Sequence, residues 1–301
     1  MKIVIAGGTG FLGRPLAAAL AADGHSVVTL GRGSRIGGAT RTVTWNPDGT
    51  TGPWAAEING AGAVVNLAGE SIAGKRWTAA QKQRILDSRL QATQSLVAAV
   101  HQASTPPSVF VSGSAVGYYG PLGDEIATED TQPGSDFLAQ VCVQWEKEAH
   151  GAVSDRTRVV CVRTGIALEK DGGALPQMLP PFRFGAGGPV GSGRQYWSWI
   201  HRDDWIAMVR WAILTPFVSG AINATAPNPV TNTTFARALG RAMHRPAFMP
   251  APAFALRLLL GEMADALLLS GQRAAPEAAE RQGFTFRYPH LDDALRAIFG
   301  A

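Results

Sequence analysis

The 301-residue sequence has few of the groups that staple a fold or hold a metal. It contains two cysteines, Cys142 and Cys161, which cannot build a disulfide framework, and no CxxC pair. Its six histidines show no ligand spacing such as HxxxH, so no metal site is expected. Charged residues are only 17% of the chain, and the net charge of +4 is spread thinly. No Lys/Arg run is longer than Lys75-Arg76, which speaks against a nucleic-acid footprint. Long apolar runs are also missing. Ile3–Ala6 are apolar, but Gly7-Gly8 ends them too soon for a secretory segment or a membrane span. Phe254 to Leu269 is broken by Arg257, Glu262 and Asp265, and its apolar spacing predicts a packed helix. A cytoplasmic protein with no membrane and no nucleic-acid partner is expected.

What is present is a 46% hydrophobic fraction and 35 glycines, enough for a full core with close backbone approaches. Short β-branched runs alternate with helical spacing in the first half. Strands are expected at Lys2–Ala6, Ser26–Leu30, Thr42–Trp45, Ala63–Leu67, Ser108–Ser112 and Val159–Arg163. Helices are expected at Phe11–Ala22, Thr78–Val100 with Thr78 as N-cap, and Phe137–Ala149. This alternation predicts an α/β fold with a doubly wound parallel sheet. After Thr164 the chain turns Gly- and Pro-rich. Trp199–Leu214 then reads as a strand edge and a helix capped by Asp203 or Asp204. The expected division is a nucleotide-binding domain over 1–225, with a substrate-lobe insertion at about 166–200, and a smaller, partly discontinuous C-terminal lobe over 226–301.

The first strand runs into Gly7-Gly8-Thr9-Gly10-Phe11-Leu12-Gly13 and then a helix. Gly7, Gly10 and Gly13 form a GxxGxxG pattern in the context that gives such a motif meaning. The strand must turn tightly and the backbone must approach a pyrophosphate, which then sits at a helix N-terminus. At the end of the second strand the sequence reads Thr29-Leu30-Gly31-Arg32. An acidic residue there would hydrogen-bond a ribose 2′-OH, and an arginine would pair with a 2′-phosphate. Arg32 therefore points to NADP. Leu67-Ala68-Gly69 closes the fourth strand with small residues that let the cofactor pass.

Further motifs extend this beginning. They are AGGTGFLG at Ala6–Gly13, NLAGE at Asn66–Glu70, Arg76-Trp77 with Ser88-Arg89, SGSAVGYYG at Ser112–Gly120 and DFLAQVCVQWE at Asp136–Glu146. RTGIAL at Arg163–Leu168, GGPVGSGRQYWSWIHRDD at Gly187–Asp204, NATAPNPVTN at Asn223–Asn232 and GF-F-YP across Gly283–Pro289 complete the series. In this order they resemble the extended short-chain dehydrogenase/reductase superfamily. More closely, they resemble NAD(P)-dependent epimerase-family proteins with a small C-terminal domain of unknown function. The resemblance implies a Rossmann-type sheet with a substrate lobe. It implies cofactor contacts at Gly7, Thr9, Gly10, Phe11, Leu12, Gly13, Arg32, Leu67, Ala68, Gly69, Ser112, Arg163 and Ala167. Arg89 stands where extended members carry an Asn, four residues before Thr93, and is expected to contact cofactor phosphate or substrate.

The sequence departs from the resemblance in its catalytic pair. The superfamily uses a Tyr as acid or base with a Lys four residues later. No YxxxK occurs here. Counting back from Glu146 puts Cys142 at the Lys position and Leu138 at the Tyr position. Neither supplies the missing function. Ser114 stands at or next to the superfamily's catalytic Ser/Thr, and Tyr118 or Tyr119 is the nearest phenol. These three are the candidate catalytic residues. Cys142 reads as a small buried hydrophobe.

Substrate contacts are expected from Met178, Arg194, Trp197, Trp199 and His201, with Met178 and Phe182 as a lid. His201 is either a proton carrier or a structural residue at the helix entry. The aromatic and polar residues of this stretch suit an aromatic or sugar-like ligand with an anionic group. Two functions are therefore open. One is an NADP-dependent reductase, epimerase or dehydratase acting on a small carbonyl or hydroxyl compound, as monomer or homodimer. The other is a catalytically silent NADP(H) sensor or regulatory protein.

Overall fold

The computed structural model describes residues 1–31, 33, 35–37 and 40–300. The first strand, β1 (Lys2–Ala6), has Ile3, Val4 and Ile5 with no exposed surface. Side chains alternate across a strand, so burial of consecutive residues requires cover on both faces. β1 pairs in parallel with β2 (Ser26–Gly31) on one side and β5 (Ala63–Asn66) on the other. β2 continues to β4 (Thr40–Thr44), and β5 continues through β6 (Val109–Ala115) to Arg158–Thr164 and Gly220–Ala224. These seven strands are parallel. An eighth, β3 (Arg35–Gly37), adds antiparallel at the edge beside β4.

One sequence expectation changes here, and one strand was not foreseen. The single strand expected at Thr42–Trp45 is a β3–β4 pair, and Trp45 packs against Trp54 instead of extending the ladder. Gly220–Ala224, of weak strand propensity, becomes a strand through its register with Arg158–Thr164.

Helices close both faces. Ile3, Ile5, Val65 and Val111 share a core with Leu16 and Leu20 of α1 (Gly13–Ala22). The buried face of α5 (Arg202–Leu214), with Trp205 and Met208, belongs to the same core. Val4, Val28, Val64 and Phe110 face the opposite way, onto Ala92 and Leu96 of α2 (Ala79–Gln102). Thr78 caps α2 by accepting the Gln81 amide at 3.1 Å. Asp136 caps α3 (Phe137–His150) by accepting the Ala139 amide at 2.8 Å. The cap of α5 is His201, whose Nδ1 accepts the Asp203 amide at 3.0 Å; Asp203 and Asp204 lie inside its first turn. This corrects the expected aspartate cap.

A third core joins distant segments. Leu175, Leu179 and Phe182 of α4 (Leu175–Arg183) pack with Trp197, Trp199 and Phe235 of α6 (Asn232–Met243). Leu291 and Leu295 of the last helix, Leu291–Phe299, complete it. The packed helix expected from Phe254 to Leu269 is a further correction. α7 (Ala253–Leu260) buries no residue and ends at Gly261 in the left-handed region (φ +63°). A π-helical turn over Asp265–Leu269 follows. The apolar spacing was real, but most of that face stays uncovered: Phe254, Leu258 and Leu259 are exposed.

Both cysteines are buried, Cys161 in the middle of the sheet and Cys142 on α3. Among the described residues, no helix is long and apolar enough to cross a membrane, and no cluster of three His, Cys, Asp or Glu could hold a metal ion.

Candidate functional site

The ends of β1, β5 and β6 converge on a cavity of about 690 Å³, where ligands bind in open α/β sheets. Gly7, Gly10, Phe11, Leu12, Gly13, Leu67 and Gly69 form part of its wall. Gly7 has φ +77°, and a Cβ there would meet Leu67 O at 2.7 Å. A Cβ on Gly13 would meet Gly7 O at 2.3 Å, so only glycine lets α1 approach the turn. A Cβ on Gly10 would touch only Gly7 O, at 3.3 Å. That position is glycine for the cavity's sake more than for the turn's. No side chain among the described residues caps α1; the Arg14 amide bonds to Gly10 O at 3.0 Å and Pro15 has none, so the amides of Leu12 and Gly13 are the ones left to a ligand. The turn, the uncapped helix and Gly69 after β5 fit a dinucleotide pyrophosphate.

Thr9 and Ala68 belong to the same turns but not to the cavity wall. Thr9 O accepts Arg14 Nη2 at 3.3 Å, and the Ala68 amide donates to Asn66 Oδ1 at 3.2 Å. Arg32 lies outside the described residues. Arg89, on α2, does reach the wall.

α3 presents Leu138, Val141, Cys142 and Trp145 to the cavity. The two positions where a Tyr/Lys pair would stand are thus in place but apolar. Burial pushes the Cys142 thiol up to about 12, so it stays protonated and unreactive at neutral pH. Ser114 also lines the cavity, and its Oγ donates to Glu146 Oε1 at 2.6 Å. Glu146 is ion-paired with Arg163, Nη2 to Oε2 at 2.9 Å, and both are buried.

Several roles expected from the sequence change with this geometry. Tyr119 is 1% exposed, and its hydroxyl donates to Asn223 Oδ1 at 2.6 Å and accepts from Arg163 Nη1 at 3.0 Å. Burial pushes its phenol up to about 12, and Tyr119 is not part of the cavity wall. The Tyr118 ring covers the Arg163 guanidinium at 3.5 Å and is not part of the cavity wall. Arg163, expected at the cofactor, is consumed by Glu146, Tyr119 and the Glu129 carbonyl. Ser112 is fully buried, with its Oγ on Gly113 O at 3.1 Å. Ala167 sits in the sheet core, while its neighbours Thr164, Gly165 and Ile166 reach the cavity.

In the lobe, Trp197 lines the cavity and the other expected substrate contacts do not. Trp199 has no exposed surface and donates its Nε1 to Asn228 O at 3.1 Å. Met178 and Phe182 pack into the lobe core, so neither is a free lid. Arg194 is exposed away from the wall. His201 caps α5 and packs its ring on Tyr288 at 4.1 Å between centroids. Burial lowers its pKa, which suits a neutral cap better than a proton carrier.

Sequence reasoning missed Ala266, Leu267 and Ser270–Gln272, all on the wall, whereas Tyr196 and Ser198 lie in the stretch expected at the substrate. The available signal was Gly271, where a Cβ would meet Tyr196 O at 1.9 Å. Only a fold shows that this glycine admits a second chain segment.

The chain is similar to known proteins along its whole length. It is 43% identical over 294 residues to epimerase family protein Mb2239 of Mycobacterium bovis, covering 97% of this chain and 96% of that protein. It is 37% identical over 301 residues to the Homo sapiens epimerase family protein SDR39U1, covering 99% of each. The crystal structure of the human SDR39U1 (isoform 2) with NADPH superposes with a TM-score of 0.91 at 36% identity, over 100% of this chain and 99% of that one. A nucleoside-diphosphate sugar epimerase from Corynebacterium glutamicum gives a TM-score of 0.79 at 34% identity, over 100% of this chain and 58% of that chain. A Domain of unknown function (DUF1731) matches residues 251–298. With residues 3–224 matching it, the chain belongs to the NAD dependent epimerase/dehydratase family.

Proposed function

We propose that this protein binds NADP(H) and exchanges hydride with a small carbonyl or hydroxyl compound. One observation carries the reading: a single cavity touches both the glycine turn and the lobe residues Tyr196–Ser198. That arrangement seats a dinucleotide and leaves a second wall for a substrate. When bound, the cofactor supplies the hydride chemistry, and the protein supplies orientation. The human relative crystallised with NADPH supports the cofactor assignment. Arg32, with no acidic residue at Thr29–Gly31, supports the phosphorylated form over NAD. The indole N–H groups of Trp145 and Trp197 have no partner among the described residues, and both side chains line the cavity. We place the protein in the cytoplasm, as monomer or homodimer, acting on a small molecule.

A second reading, a catalytically silent NADP(H) sensor, is favoured by the apolar pair Leu138 and Cys142 where an acid and its cation would stand. The experiment follows NADPH absorbance across a panel of carbonyl compounds after titrating NADPH and NADH. Tighter NADPH binding with oxidation by some carbonyl supports the enzyme. Tighter binding with no oxidation across the panel supports the sensor. Equal affinity for both cofactors removes the 2′-phosphate assignment. Arg32→Ala is expected to erase most of the preference, about 1.5–3 kcal/mol for a lost charged hydrogen bond.

A further inference from the structure

Arg89 sits on α2 with its guanidinium at the cavity wall. Its Nη1 donates to two backbone carbonyls, Ile85 O at 2.8 Å and Glu70 O at 3.1 Å. Its guanidinium carbon lies 5.2 Å from the Trp145 ring centroid. Gly69 leaves room for it, since a Cβ there would come within 3.2 Å of Arg89 Cγ. Glu70, whose charge acts on Arg89, instead accepts Gln81 Nε2 at 2.9 Å and lies 3.8 Å from Arg84 Nε. Among the described residues Arg89 enters no ion pair, and its Nε and Nη2 make no hydrogen bond. Arg89 is half-buried, and these free donors leave its charge available to an anionic ligand in the cavity.

The sheet order tells which part of a dinucleotide would do so. β2 lies on one side of β1, and β5 and β6 lie on the other. A 2′-phosphate end belongs at β2, so Arg89, between the loop after β5 and α3, faces the half away from adenine. On the α3 side of this place stands Cys142, which carries no charge.

We infer that Arg89 is a positioning residue that supplies, from α2, the fixed positive charge α3 lacks at Cys142, and that it holds phosphate or ribose oxygens of the nicotinamide half of the cofactor. This rests on the cofactor reading above.

The test measures binding of two probes, NADPH and 2′,5′-adenosine bisphosphate, which lacks the nicotinamide half. Arg89→Met is expected to weaken NADPH about tenfold or more, the scale of a charge-assisted hydrogen bond. Binding of the bisphosphate should change by less than about twofold. Adding Cys142→Lys to Arg89→Met returns the charge from α3 and is expected to recover most of the lost NADPH affinity. Unchanged NADPH affinity in Arg89→Met overturns the inference, and so does an equal loss for both probes. Arg89→Gln is the second variant. If a thermal melt shows that neither variant folds, the charge serves the fold and the inference falls. A wild-type protein that binds neither probe overturns the cofactor reading itself.

Discussion

Ser114 gives its hydroxyl hydrogen to Glu146 Oε1 at 2.6 Å, and the same carboxylate receives Arg163 Nε and Nη2, each at 2.9 Å. With its proton committed, Ser114 offers the cavity an oxygen lone pair and so acts as a hydrogen-bond acceptor. A substrate that presents a hydroxyl suits that polarity better than a bare carbonyl.

Ser114→Ala is expected to lower turnover about tenfold on any substrate found, the scale of one lost hydrogen bond of about 1.5 kcal/mol. NADPH affinity should stay within about twofold. Full activity in the variant would remove Ser114 from the chemistry. Glu146→Gln tests the support behind it. It leaves Arg163 buried without a counter-charge, and denaturant melts should show a loss of about 3–5 kcal/mol.

Gly10 and Gly13 of the turn are expected to fail differently. Gly10→Val should leave a folded protein that no longer binds NADPH, because a Cβ at Gly10 meets only one atom, Gly7 O at 3.3 Å, yet stands in the cavity. Gly13→Ala forces its Cβ against Gly7 O and should cost about 1–3 kcal/mol in stability as well. Thermal melts run beside cofactor titrations separate the two effects. A Gly10→Val protein that still binds would make the turn structural only.

Tyr119→Phe isolates a phenol that holds the fold. Removing the hydroxyl strands Asn223 Oδ1 and one Arg163 N–H in the interior, at a cost of about 1–3 kcal/mol. Cofactor binding and turnover are expected to match the wild type. A turnover loss larger than the stability loss explains would return Tyr119 to the chemistry.

How much of this was legible beforehand depended on how local each signal was. β1, the glycine turn and α1 follow from short-range sequence, as do Thr78 at the start of α2 and the Leu138 and Cys142 positions on α3. The role of Tyr119 was not legible, because its partners Asn223 and Arg163 are remote in sequence and meet it only across the sheet. The Ser270–Gln272 wall and the Gly220–Ala224 strand likewise depend on long-range contacts. His201 was legible as a structural residue at the helix entry, but the cap itself was assigned to the nearby aspartates, which are common at N-caps.

His201 gives a pH prediction. Burial lowers its pKa from 6.5, and its Nδ1 must be unprotonated to accept the Asp203 amide. The folded state therefore favours the neutral ring. Its contribution is fully present above pH 6.5 and is lost as pH falls through the lower folded value. Wild-type Tm should fall on acidification below 6.5, and His201→Asn, which still caps, should fall less steeply. Burial raises Asp204 and Glu129, which titrate with the opposite sign. The difference between variant and wild type is therefore the quantity to read. Parallel curves would leave His201 without a titrating role.

The two buried thiols make the protein its own reporter of opening. Cys161 lies mid-sheet, with parallel strands on both sides, and meets an alkylating reagent only when the sheet itself separates. Cys142 lies against the cavity, so a smaller local excursion of α3 uncovers it, and anything filling the cavity slows that excursion. The ratio of the two labelling rates therefore distinguishes a ligand that seats beside α3 from one that merely stabilises the whole chain.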